Sequence, residues 1–227
     1  MIRRGIRKLG RKLMGRGEAP SSPEPVRPAP PPPHTEPKET LSESPEPNVE
    51  VEADTLKEWV DGGREVSFID IREPYELSSG HVEGALLLPM NQVPHSQETL
   101  PRERTLILYC AAGARSFGVA HYLREQGIED AWSLVGGIGA WLQQGGQWLA
   151  PPSDAAFPLL TPVFVSAEVA RSRGVDCPDK GAAGTVQAVR DTPRRYDVLL
   201  SRSGGAPVTL HDLEEASLAP VGRRPLQ

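Results

Sequence analysis

The chain has 227 residues, 38% of them apolar, a net charge of −5 and two cysteines, Cys110 and Cys177. Two cysteines cannot build a secreted disulfide scaffold, and no run approaches the roughly 20 apolar residues of a membrane span. Residues 1–17 hold seven basic side chains and no acid; the remainder, with 18 basic against 30 acidic residues, argues against nucleic acid as a main partner.

At the N-terminus, Ile2, Ile6, Leu9 and Leu13 share one face of a helix while arginines and lysines fill the other. A basic amphipathic helix over 1–17 suits peripheral contact with an anionic membrane, and a solvated basic tail is the alternative. No continuous apolar core of signal-peptide type follows, and the absence of Ser and Thr weakens a mitochondrial transit peptide. Residues 18–48 carry eleven prolines and almost no apolar side chains, so a disordered, semi-stiff linker is expected. With thiols kept reduced, the expected location is the cytoplasm, peripheral at a membrane surface if residues 1–17 bind there.

Residues 49–150 alternate strand and helix signals. Val49–Val51 reads as a short strand, and Asp54 as the cap of a helix that ends at Gly62-Gly63. Val66–Ile71, Val82–Leu88, Thr105–Cys110 and Ala131–Val135 read as strands; Ser116–Gln126 and the segment opened by Gly136-Gly137 read as helices. This alternation predicts an α/β domain, a parallel sheet with helices on both faces.

Four prolines mark 151–162 as a linker. Beyond it, 163–222 show short β signals at Val163–Val165, Thr185–Val189, Tyr196–Leu200 and Pro207–Leu210, which predict a small β-rich domain with a barrel as one candidate form.

The chemistry concentrates in Cys110-Ala111-Ala112-Gly113-Ala114-Arg115-Ser116, between a buried strand and a helix. Such a turn leaves backbone N–H groups unpaired and converging, an anion site aided by the helix N-terminus. The same groups stabilise a thiolate, the reactive form of cysteine. Alanines and Gly113 let a substrate approach the backbone, and Arg115 can meet a sulfonate or phosphate bidentately. This chemistry requires the N–H groups to turn inward and the thiol to be reachable from solvent.

The segments Asp70–Glu76, Gly80–Ala85 with Leu88-Pro89, Cys110–Ser116, and Gly136–Trp141 together resemble the rhodanese homology family over about residues 49–148. The resemblance implies Cys110 as nucleophile, the amides of 111–115 as a persulfide cradle, and Arg115 as a substrate contact. Ala111, Ala112, Gly113, Ala114 and Ser116 complete the substrate-binding loop. The reaction it implies is sulfur transfer from thiosulfate or a persulfide to a thiol acceptor, without cofactor or metal. Phosphatases of related fold use Cys-x5-Arg; the tighter Cys-x4-Arg here suits a single sulfur better than a phosphate or arsenate.

Asp70 and Arg72 could line the pocket rim or form a structural ion pair. His81 reads as a hydrogen-bonded structural histidine and Trp141 as core. Cys177 is either a resolving thiol or an incidental loop cysteine, and its acidic surroundings favour the latter. A non-catalytic sulfur-carrier or protein-binding module, tethered near a membrane, is the alternative to an enzyme.

Overall fold

The computed structural model describes residues 48–201 and 207–221. The helix expected over 1–17, its membrane contact and nearly all of the linker expected over 18–48 lie outside them. In chain order the elements are β1 (Glu50–Val51), α1 (Ala53–Asp61), β2 (Val66–Asp70), a 3-10 helix (Pro74–Ser79), β3 (His81–Val82) and β4 (Leu86–Leu87). Then come α2 (Val93–Ser96), β5 (Thr105–Tyr109), α3 (Ala114–Glu125), β6 (Ala131–Leu134), α4 (Gly137–Gln143) and β7 (Trp148–Leu149). The C-terminal part adds β8 (Pro162–Val165), α5 (Ala167–Ser172), β9 (Ala182–Arg190), β10 (Arg195–Leu200), β11 (Val208–Leu213) and β12 (Leu218–Pro220).

The first sheet is parallel throughout, in the order β1-β6-β5-β2-β4. Its central strand β5, TLILY, is buried along its whole length, as a strand covered on both faces must be. Side chains alternate between two cores. Leu106, Leu108 and Cys110 pack with Val119, Ala120 and Leu123 of α3, whereas Ile107 and Tyr109 pack with Leu56 of α1 and Trp141 of α4. The expected α/β architecture with helices on both faces is what the chain adopts.

Local differences have local causes. The strand expected over Val82–Leu88 is split into β3 and β4. Gly84 takes φ +76° and Ala85 donates to the Val82 carbonyl, so the chain turns there. Asp54 does not cap α1: the cap position is Glu52, without a side-chain bond, and Asp54 sits in the first turn. The helix after the cysteine loop starts at Ala114, two residues before the sequence signal, because Gly113 at φ +97° already provides the entry.

The C-terminal strands form one antiparallel sheet, ordered β11-β10-β9-β8-β12, over a core of Val163, Val165, Val186, Tyr196, Val198 and Leu210. Among the described residues no ladder joins β11 to β12, so this is a five-stranded sheet with one helix rather than a closed barrel. Phe157 and Leu159, in the segment expected to be a linker, pack against that core. The two sheets meet where Gln187 Oε1 accepts the Leu87 N–H at 2.7 Å and Arg190 faces Glu83 at 3.6 Å.

Candidate active site

In the parallel sheet, β2 is followed by β4 on one side, while β5, on the other side of β2, is followed by β6 further out. The crevice beyond the carboxyl ends of β2 and β5 is therefore the topological switch point, where open α/β sheets bind ligands. The loop 110–116 leaves β5 at this point, and the 3-10 helix Pro74–Ser79 follows β2.

Cys110 continues the alternating row of β5, and that is why its side chain packs inward. The Gly113 N–H donates to Cys110 Sγ at 3.2 Å, and the Ser116 hydroxyl lies 3.8 Å from it. Burial pushes the thiol up, but the amides of Ser116, Ala112 and Gly113 and the Ser116 hydroxyl outweigh it, so the thiol lies below its ordinary value. Of the amides expected over 111–115, those of Ala112 and Gly113 stabilise the thiolate, joined by that of Ser116 just outside the range. Ser116 is itself held by donation to the Gly113 carbonyl at 2.8 Å and by the Ser133 hydroxyl at 2.9 Å. Ser133 carries no sequence signal for this role, because it lies on β6 and reaches the loop only through the fold.

The thiol is less open than the sequence reading required. Cys110 is 2% exposed, on the floor of the loop, while Ala111, Ala112 and Ala114 are exposed. A reacting sulfur has to enter the loop rather than meet the thiol at the surface.

The loop is clamped from behind by Gly136-Gly137. Ile138 N–H donates to the Cys110 carbonyl at 3.0 Å, and a Cβ on Gly137, at φ +60°, would lie 2.5 Å from that same oxygen. Gly113, at φ +97°, is constrained more mildly, since a Cβ there would lie 3.2 Å from the Gly136 nitrogen. The glycines of two distant motifs are thus explained by the close backbone-to-backbone approach of the two segments.

Arg115 does not present a free fork. Its Nη1 and Nη2 each donate at 2.7 Å to the two carboxylate oxygens of Glu76. Glu76 also accepts the Glu73 N–H at 3.0 Å in a capping box that opens the 3-10 helix. These bonds, the Arg115 one foremost, hold its carboxyl at about 2, so it is ionised at any working pH. Sequence reading assigned Glu76 no role, because Glu73 is not one of the usual capping residues and the box shows only in the fold.

Asp70 and Arg72 are not a pocket rim. They are 1% and 3% exposed and form a buried ion pair at 2.6 Å, with Arg72 Nη2 also donating to the Gly80 carbonyl at 2.7 Å. Arg72 is fully paired there, in a site that water does not reach, and so is not available to a ligand. His81 is buried with Nδ1 2.9 Å from the Val82 carbonyl; burial holds it below its ordinary value and neutral. Trp141 is core. Cys177 packs against the core of the antiparallel sheet, whereas Cys110 belongs to the core of the parallel one.

The family model of the rhodanese-like domain matches residues 52–144. A sulfurtransferase of Allochromatium vinosum is 35% identical over 102 residues, which cover 45% of this chain and 95% of that protein. The chain belongs to the rhodanese-like domain family. Thiosulfate sulfurtransferase GlpE of Shewanella oneidensis is 36% identical over 78 residues, 34% of this chain and 77% of GlpE. The probable adenylyltransferase/sulfurtransferase MoeZ of Mycobacterium tuberculosis is 38% identical over 91 residues, 39% of this chain but 23% of MoeZ. The family match ends before the antiparallel sheet begins.

Proposed function

We propose that the protein is a rhodanese-type sulfurtransferase that carries sulfane sulfur from thiosulfate or a persulfide to a thiophilic acceptor through a persulfide on Cys110. The Cys110 thiolate attacks the outer sulfur of the donor. A new S–S bond forms, the donor's S–S bond breaks, and its electron pair leaves with sulfite or a thiolate. An acceptor thiolate then takes the outer sulfur and returns Cys110 as thiolate, with no net oxidation. Amides of Ala112, Gly113 and Ser116 hold the anion at each stage.

The observation that carries this reading is the Gly113 N–H donating to Cys110 Sγ at 3.2 Å at the start of α3, with the Ser116 hydroxyl 3.8 Å from the same sulfur. The names of the relatives support it. The burial of the thiol stands against it, and direct measurement decides. Full-length protein treated with thiosulfate or glutathione persulfide should gain one sulfur on the peptide holding Cys110, and Cys110→Ala should abolish both the gain and turnover. Absence of any gain would leave the fold as a binding module. We place the reaction in the cytoplasm, with residues 1–17 as a contact to anionic lipid; vesicle co-sedimentation of the full chain, with and without those residues, tests the contact.

A further inference from the structure

We infer that Glu76 sets donor choice, steering this protein toward organic persulfides and away from thiosulfate. The inference rests on the sulfurtransferase reading and narrows it to a substrate class.

Thiosulfate is a dianion, and the sulfite it releases is a dianion too. Its sulfonate needs cations or several free donors in both ground and transition states. The loop 110–116 contains one cationic side chain, Arg115, whose Nη1 and Nη2 are engaged by the Glu76 carboxylate and whose charge is shared between Glu76 and the Cys110 sulfur. The other segments beyond the strand ends add only Arg72, which is buried against Asp70. Among the described residues of this crevice, the cations are matched by carboxylates. A dianion entering there would approach an ionised Glu76 with no unmatched positive charge to offset it. The inward amides of Ala112, Gly113 and Ser116 are directed at the cysteine sulfur itself.

A persulfide R–S–SH asks for less. Cys110–S⁻ attacks the outer sulfur; Cys110–S–SH forms, the donor S–S bond breaks, and the pair departs on R–S⁻. One negative charge is moved and none is added to the loop. Exposed aromatic surface lies close in sequence to both members of the Glu76–Arg115 pair. Tyr75 and Phe117, chain neighbours of Glu76 and Ser116, are 78% and 45% exposed. An inorganic oxyanion has no use for aromatic surface.

The test is the second-order rate of sulfur loading on Cys110 of the full chain, followed by intact mass, with thiosulfate and with the persulfide of an uncharged thiol such as 2-mercaptoethanol. The wild type should load from the persulfide at least about 30-fold faster, the scale of a charge mismatch in a partly desolvated site. Glu76→Gln frees the Arg115 fork and should raise thiosulfate loading about tenfold, lowering the persulfide-to-thiosulfate ratio. Adding Arg115→Gln should remove that gain. Equal wild-type rates overturn the inference whatever the variants do, as does an unmoved ratio in a folded Glu76→Gln protein. Loading from neither donor overturns the sulfurtransferase reading itself.

Discussion

The carbonyl oxygen of Cys110 lies where the side chain of any residue but glycine at 137 would have to stand, 2.5 Å from the Cβ position. The atom in the way is backbone, so a flexible side chain cannot move aside, and φ +60° adds strain for any L residue. Gly137→Ala should destabilise the protein by about 2–4 kcal/mol and displace the loop. Thermal melting and the Cys110 labelling rate would check it; an unchanged melt and rate would show that the contact is dispensable.

Alkylation of Cys110 reads the amide cradle directly. Its thiol is held below 9.0, so the rate profile against pH should have its midpoint below that of an ordinary thiol. Ser116→Ala removes the hydroxyl near Sγ, should move the midpoint upward, and should slow labelling at pH 7 about threefold. Because the residue is 2% exposed, iodoacetamide should react in the native protein while bulky disulfide reagents lag far behind. Failure of even the small reagent would show a thiol sealed from solvent.

Acid titration should reveal the Glu76 pair. Its carboxyl falls from an ordinary 4.5 to about 2 on folding, so its contribution is present above 4.5 and is lost as pH falls through about 2. With the Arg115 side chain 33% exposed, solvent screening leaves about 1–2 kcal/mol. Glu76→Gln should therefore be less stable than wild type at pH 6, and the gap should close toward pH 2. A gap that persists at pH 2 would assign the loss to something other than the charge.

Gln187 supplies the acceptor for the Leu87 N–H, in a position where both residues are buried. Gln187→Leu would leave that donor unsatisfied, and a loss of about 1–3 kcal/mol is expected. Denaturant unfolding measures it. Hydrogen exchange should show the Leu87 amide exposed before the core of β5.

The parallel sheet and the cysteine loop were legible because their signals are local. A run such as TLILYC fixes a doubly covered strand, and Gly113 fixes the turn after it. The partners of the loop were not legible. Glu76 and Arg115 are 39 residues apart, and Ser133 meets Ser116 from another strand; only the strand order brings them together. Arg115 illustrates the cost: sequence reading gave its fork to a substrate, and the fold gives it to a carboxylate. In the C-terminal sheet the strand signals were found, but closure depends on whether edge strands meet, which periodicity does not encode.

The Gln187 side chain also answers a hazard common to open sheets. Strand β4 is the margin of the parallel sheet, and its outward N–H at Leu87 is a site where a strand from another molecule could begin to add. The C-terminal sheet occupies it first, so it serves as a guard against self-association. A fragment ending at residue 150 should keep its fold but clump at concentrations where the full-length protein stays monodisperse.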